Sequence, residues 1–149
     1  CFAKKLEQNF VVDYWQLKAL DLPFCDGSKI NEYPQNLEAL EQTLSTFDGY
    51  VFGMPVYCHS VSGPLKNFID LFSDTFTGKP FGIVCQAGSK MAYHAPADLQ
   101  KILAYESECI PLLPVVMSDY STFDGDSVVD EKVLAKMDSL QGVLKRHIV

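Results

Sequence analysis

Tyr50-Val-Phe-Gly-Met-Pro-Val-Tyr-Cys-His-Ser-Val-Ser-Gly-Pro-Leu-Lys-Asn-Phe-Ile-Asp-Leu-Phe72 reads as a strand, a loop and a helix in immediate succession. Tyr50 to Pro55 is a continuous apolar run bounded by Gly49 and Pro55. A run apolar on both sides of the pleat belongs to a strand covered on both faces, the mark of a parallel sheet. Past the loop, Leu65, Phe68, Ile69 and Phe72 are spaced i, i+3, i+4, i+7, which is one face of a helix. Gly63-Pro64 opens that helix with proline in its first turn.

Working outward, the same alternation continues. Phe81–Cys85 and Ile110–Met117 are two more apolar runs. Leu99, Ile102 and Leu103 form a short helical stripe between them, and Val133, Met137, Leu140 and Leu144 run down a last helix. Upstream, Asn36 is placed to cap a helix whose Leu37, Leu40, Leu44 and Phe47 share a face, ended by Asp48-Gly49. Phe10–Leu17 is β-branched and aromatic and predicts a strand. Asp21–Pro34, with Pro23, Gly27, Asn31 and Pro34, reads as a loop, and residues 1–8 as helix. Asp124-Gly125-Asp126 reads as a plain turn rather than half of a calcium loop.

Strands alternating with helices predict an α/β class with a doubly wound parallel sheet in the order 2-1-3-4-5. The first strand of that order is its central one, and the sequence holds no candidate for it. Cys1-Phe-Ala-Lys-Lys-Leu6 has no initiator Met and no apolar signal core, and reads as the middle of a helix. The expectation is therefore a single domain over residues 1–149 that lacks a first strand, the loop after it and a turn of helix, about 15–20 residues.

The 149 residues are 48% hydrophobic and 21% charged, too apolar for a disordered chain. No uninterrupted apolar run of 18 residues occurs, so no membrane span is expected. Twelve Lys+Arg against 19 Asp+Glu give a net charge of −7, which argues against nucleic acid and anionic lipid as partners. Five cysteines without a C-x-x-C pair point to reduced thiols in a cytoplasmic protein, with Cys85 and Cys109 as small core residues. His59, His94 and His147 have no metal-ligand spacing, and no metal is expected. The absence of G-x-G-x-x-G, G-x-x-x-x-G-K-[ST] and G-x-S-x-G removes most support for a Rossmann dehydrogenase, a P-loop enzyme or a serine hydrolase.

In open α/β sheets ligands bind outside the carboxyl ends of the strands. Three segments lie there: Met54–Asn67, Gln86–Tyr93 and Ser118–Thr122. The first offers backbone N–H groups, the planar groups of Tyr57 and His59, the hydroxyls of Ser60 and Ser62, and a helix N-terminus. That combination suits a planar heteroaromatic ligand. Gly88 beside Ser89 lets the second segment approach a ligand closely.

The pattern Pro55-x-Tyr57-x5-Gly63-x-Leu65-Lys66-Asn67-x2-Asp70, with Ala87-Gly88-Ser89 after the next strand, resembles the NAD(P)H-dependent FMN reductase family. The resemblance covers residues 45–117, more loosely outside. It implies a flavodoxin-like fold, FMN as cofactor and NAD(P)H as co-substrate. It further implies that Pro55, Val56, Tyr57, Cys58 and His59 lie along the isoalloxazine ring, with Gly88 and Ser89 close by. Val56 and Cys58 stand where the family often has Glu and Asn, so only main-chain contacts carry over at those two positions. The family's Ser- and Arg-containing phosphate loop has no match in this chain.

The function expected is hydride transfer from NAD(P)H through bound flavin to a flavin, quinone or similar small-molecule acceptor, with no side chain required as catalytic acid or base. An electron carrier of the same fold that does not use nicotinamide, and a cofactor-free binding module, are the rivals. Tyr57 reads either as a cap on the core or as a ring facing the ligand, and its motif favours the second. His59 reads equally as a solvated loop residue. Lys66 and Asp70 read as a surface pair. The resemblance implies a homodimer or homotetramer, and Phe72 and Phe76 are expected to extend the apolar stripe beyond what one domain buries.

Overall fold

The computed structural model describes residues 2–88 and 92–148. Among these described residues six strands and five α-helices succeed one another: α1 (Phe2–Leu6), α2 (Leu37–Ser45), β1 (Tyr50–Pro55), α3 (Gly63–Phe72), β2 (Pro80–Gln86), α4 (His94–Glu106), β3 (Ile110–Pro111), β4 (Val116–Ser118), β5 (Phe123–Asp124), β6 (Ser127–Val128) and α5 (Glu131–Ile148).

The sheet is parallel. β1 pairs with β2 in the register Tyr50↔Phe81 to Pro55↔Gln86. On its other side β2 pairs with both β3 and β4. The run Ile110–Met117 is thus two short strands rather than one. Pro111 and Pro114 have no N–H to give a ladder, and Leu113 between the pieces is 62% exposed. Alternate residues of the sheet face two apolar layers. Phe52, Met54, Phe81, Ile83 and Cys85 pack with α2, α3 and α4, while Val51, Val84 and Val116 pack with α1 and α5. Helices on both faces are what the doubly wound reading requires.

Helix starts follow their sequence signals. The Asn36 side chain accepts from the Ala39 N–H, capping α2. Pro64 sits in the first turn of α3, which buries Leu65, Phe68, Ile69, Leu71 and Phe72. Val133, Met137, Leu140 and Leu144 are all buried on α5. That helix lies close to the sheet at Gly82, where a Cβ would approach the Leu140 side chain to 3.1 Å. α1 is tied to α5 by the Lys5–Asp138 ion pair at 2.5 Å and by the Gln141 side-chain amide donating to the Lys5 carbonyl at 2.7 Å.

Three expectations are corrected. Phe10–Leu17 is not a strand: it is irregular up to a short 3-10 turn at Leu17–Ala19. β propensity forms a strand only beside a partner, and among the described residues β1 pairs with β2 alone; Val11 is fully exposed. Secondly, β1 is covered on both faces only at its start, where Val51 packs with the layer of α1 and α5; beyond it Gly53 and Pro55 are exposed while Phe52 and Met54 are buried. Thirdly, Phe72 and Phe76 do not reach past the domain's own core. They are 1% and 0% exposed, inside an aromatic cluster with Phe52 and Phe68. The stripe runs on because α3 passes into a 3-10 turn at Ser73–Phe76 that folds under α2.

Candidate functional site

The carboxyl ends of β1, β2 and β4 finish level with one another. The Val56 N–H donates to the Gln86 carbonyl at 2.8 Å, and the Ala87 N–H donates to the Ser118 carbonyl at 2.9 Å. The Ser118 hydroxyl donates to the Cys85 carbonyl at 3.0 Å and also meets the Gln86 side-chain oxygen. Three loops therefore leave the sheet along one edge, from a foundation whose strand-end donors are satisfied.

The first loop turns sharply. Cys58 and His59 both have positive φ, 49° and 61°, and the Ser60 N–H donates to the Tyr57 carbonyl at 3.0 Å. Positive φ at both central residues is the signature of a type I′ turn, which asparagine and glycine adopt more readily than cysteine or histidine. Tyr57 and Ser60 form an isolated antiparallel bridge across it. The turn sends the Tyr57 ring outward, 61% exposed, so Tyr57 is not a core residue. Cys58 and His59 are exposed as well, while Val56 packs against the core. Ser62 is buried at the start of α3.

In the second loop Gly88 is exposed, and a Cβ built there would meet nothing within 4 Å. Ser89 lies outside the described residues. The third loop is fixed by Asp119, whose carboxylate accepts from the Ser121 N–H at 2.9 Å and the Ser121 hydroxyl at 2.6 Å. Each loop carries one exposed tyrosine: Tyr57, Tyr93 at 62% and Tyr120 at 80%. Pro55, Val56, Tyr57, Cys58, His59 and Gly88 thus lie on two adjacent loops of one sheet edge. Tyr93 and Tyr120 are the additions that the sequence reading left unassigned. Their signal was only their place just after a strand.

Two other concavities lie away from this edge. One of about 520 Å³ is flanked by α3 and α4, with Lys66, Asp70, Lys101 and Tyr105; Lys66 and Asp70 form the expected ion pair there. The other, about 470 Å³, lies between Leu20–Leu22 and the start of α2. Both are open grooves rather than enclosed cavities, so the sheet edge remains the candidate by chemistry and by its place in the fold. Among the described residues Cys25, Cys58, Cys85 and Cys109 are free thiols, and no group of three His, Cys, Asp or Glu side chains is arranged to hold a metal. No helix of the described residues is long and apolar enough to cross a membrane.

A family model described as NADPH-dependent FMN reductase matches residues 1–122. The chain is 30% identical over 92 residues to an NAD(P)H-dependent FAD/FMN reductase of Geobacillus thermodenitrificans, covering 61% of this chain and 50% of that one. It is 29% identical over 135 residues to an NADPH azoreductase of a Bacillus species, covering 89% and 75%. Among solved structures, the flavoenzyme NAD(P)H:(acceptor) oxidoreductase FerB from Paracoccus denitrificans superposes with a TM-score of 0.77 at 20% identity, over 99% of this chain and 88% of that one, a likeness of fold. The chain spans half the length of the Geobacillus relative.

Proposed function

The chain belongs to the NADPH-dependent FMN reductase family, and on that premise we propose that it binds FMN at the Pro55–Ser60 and Gly88 loops and uses NAD(P)H to reduce a small-molecule acceptor. The observation that carries the reading is the level edge itself: three loops on three stitched strand ends, with Tyr57 outward and open space above Gly88. The family's Pro-x-Tyr stretch is the part of the chain that forms the first of these loops.

The residues present fit a flavin ring. Tyr57, Tyr93 and Tyr120 offer flat, largely apolar surface with a polar rim, and the backbone at Pro55, Val56, Tyr57, Cys58 and His59 offers hydrogen-bonding groups along the ring's polar edge. Gly88 and Ser89 are proposed to approach the same ring. When bound, FMN supplies the hydride and electron chemistry. The chain's own residues orient the ring. Pro55 ends the strand and aims the loop, the type I′ turn presents Tyr57, and no side chain is required as acid or base.

Electron acceptors of the flavin, quinone or azo type are proposed with this site. The same reading places the protein in the cytoplasm, where Cys25, Cys58, Cys85 and Cys109 persist as thiols. It also places residues 1–149 in a single domain and the assembly as a homodimer or homotetramer, to be checked by light scattering at micromolar concentration. Anaerobic addition of NADPH or NADH to the FMN-loaded protein tests the function. Loss of the flavin absorption, and its return on adding a quinone, is the expected result. Protein that binds no FMN overturns the reading, and bound FMN that neither nicotinamide reduces makes it an electron carrier.

A further inference from the structure

We infer that Asp98 is a positioning residue for the first loop, tying the Tyr57–Ser60 turn to helix α4 through the Ser60 hydroxyl; this rests on the proposed site. The Ser60 hydroxyl donates to one oxygen of the Asp98 carboxylate at 2.7 Å, across 38 residues of chain. Lys101 donates to the other oxygen at 3.4 Å. Asp98 lies one turn into α4, between Ala95 and Leu99, which are completely buried. Its backbone is therefore held by the core, and α4 itself begins at His94, where the second loop ends. One hydrogen bond thus fixes the first loop against the element that follows the second.

The turn needs such a hold. Two consecutive non-glycine residues at positive φ are unfavourable, and a conformation of that kind persists where the surroundings determine it. Ser60 closes the turn twice: its N–H reaches back to Tyr57, and its hydroxyl reaches out to Asp98. The Ser60 hydrogen bond, assisted by Lys101, holds the Asp98 carboxyl below the ordinary range, so it accepts as a carboxylate.

The test uses Asp98→Ala, Ser60→Ala and the double variant, with Asp98→Asn and Ser60→Thr as conservative replacements. Amide hydrogen exchange over Tyr57–Val61 is followed in flavin-free protein, and FMN affinity is measured by fluorescence titration. Each alanine variant is expected to speed exchange in that segment about five- to ten-fold and to weaken FMN by a similar factor, with the double variant no worse than either single one. Asn and Thr should restore both. Unchanged exchange at Tyr57–Val61 overturns the tether whether or not FMN binds. Faster exchange with unchanged FMN affinity overturns the positioning role. A wild-type protein that binds no FMN, yet shows the exchange effect, overturns the proposed function and leaves the tether standing.

Discussion

Tyr57 stands three residues beyond the buried Met54, and the type I′ turn at Cys58–His59 carries its ring away from the core. Tyr57→Ala is therefore expected to weaken FMN about ten-fold, through loss of roughly 1 kcal/mol of aromatic contact and a little more from lost burial, while the urea midpoint hardly moves. A fall in stability with unaltered FMN affinity would contradict the assignment. Cys85 and Cys109 sit in the core, where burial pushes their thiols up to about 12 and about 11. Peptide mapping after brief alkylation at pH 8 should find Cys58 modified in the native protein, and Cys85 and Cys109 only after unfolding. The two buried thiols were legible from the apolar runs around them. The turn was not: neither Cys58 nor His59 is a residue type that signals positive φ, and its outer partner Asp98 is 38 residues from Ser60.

At the scale of elements, Asn67 explains part of its own motif. Its side-chain oxygen accepts from the Cys25 N–H and its amide donates to the Pro23 carbonyl, both at 2.9 Å, so α3 pins the irregular segment before α2. Asn67→Ala leaves two partly buried backbone groups unpaired and should cost about 1–3 kcal/mol in urea unfolding, without altering Lys66 or Asp70 on the exposed face. The long elements were readable because their periodicity reports burial directly. Leu37 and Leu44 on α2, the buried face of α3 and the four apolar residues of α5 all fell where spacing put them. Phe10–Leu17 misled because strand propensity is local and strand pairing is not. The β5–β6 hairpin, two residues a side around Gly125 at φ 56°, is too short to show any period. Gly49 is a further restraint on packing: a Cβ there would come within 2.9 Å of the Pro80 carbonyl oxygen, so the passage from α2 into β1 tolerates no side chain.

For the whole molecule, a net charge of −7 spreads acidic groups over the surface, and hydrogen bonds hold two of them, Asp26 and Asp98, below the usual carboxylate range. Asp26 is held below the ordinary 3.8 chiefly by the Ser28 N–H, with the Tyr33 hydroxyl assisting, and Asp98 by the Ser60 hydroxyl. Both carboxyls bind protons less readily folded than unfolded, so their contribution is present above the unfolded value and lost as pH falls through the lowered ones. The urea midpoint should fall on acidification through that window, less steeply in Asp26→Asn and Asp98→Asn. If the edge formed by β1, β2 and β4 is the flavin site, hydrogen exchange with and without FMN, read peptide by peptide, locates the ligand there. Protection is expected to concentrate in Pro55–Ser62 and in the peptide spanning Gln86–Tyr93, with the groove between α3 and α4 unchanged. Protection confined to that groove, or to the one before α2, would contradict it.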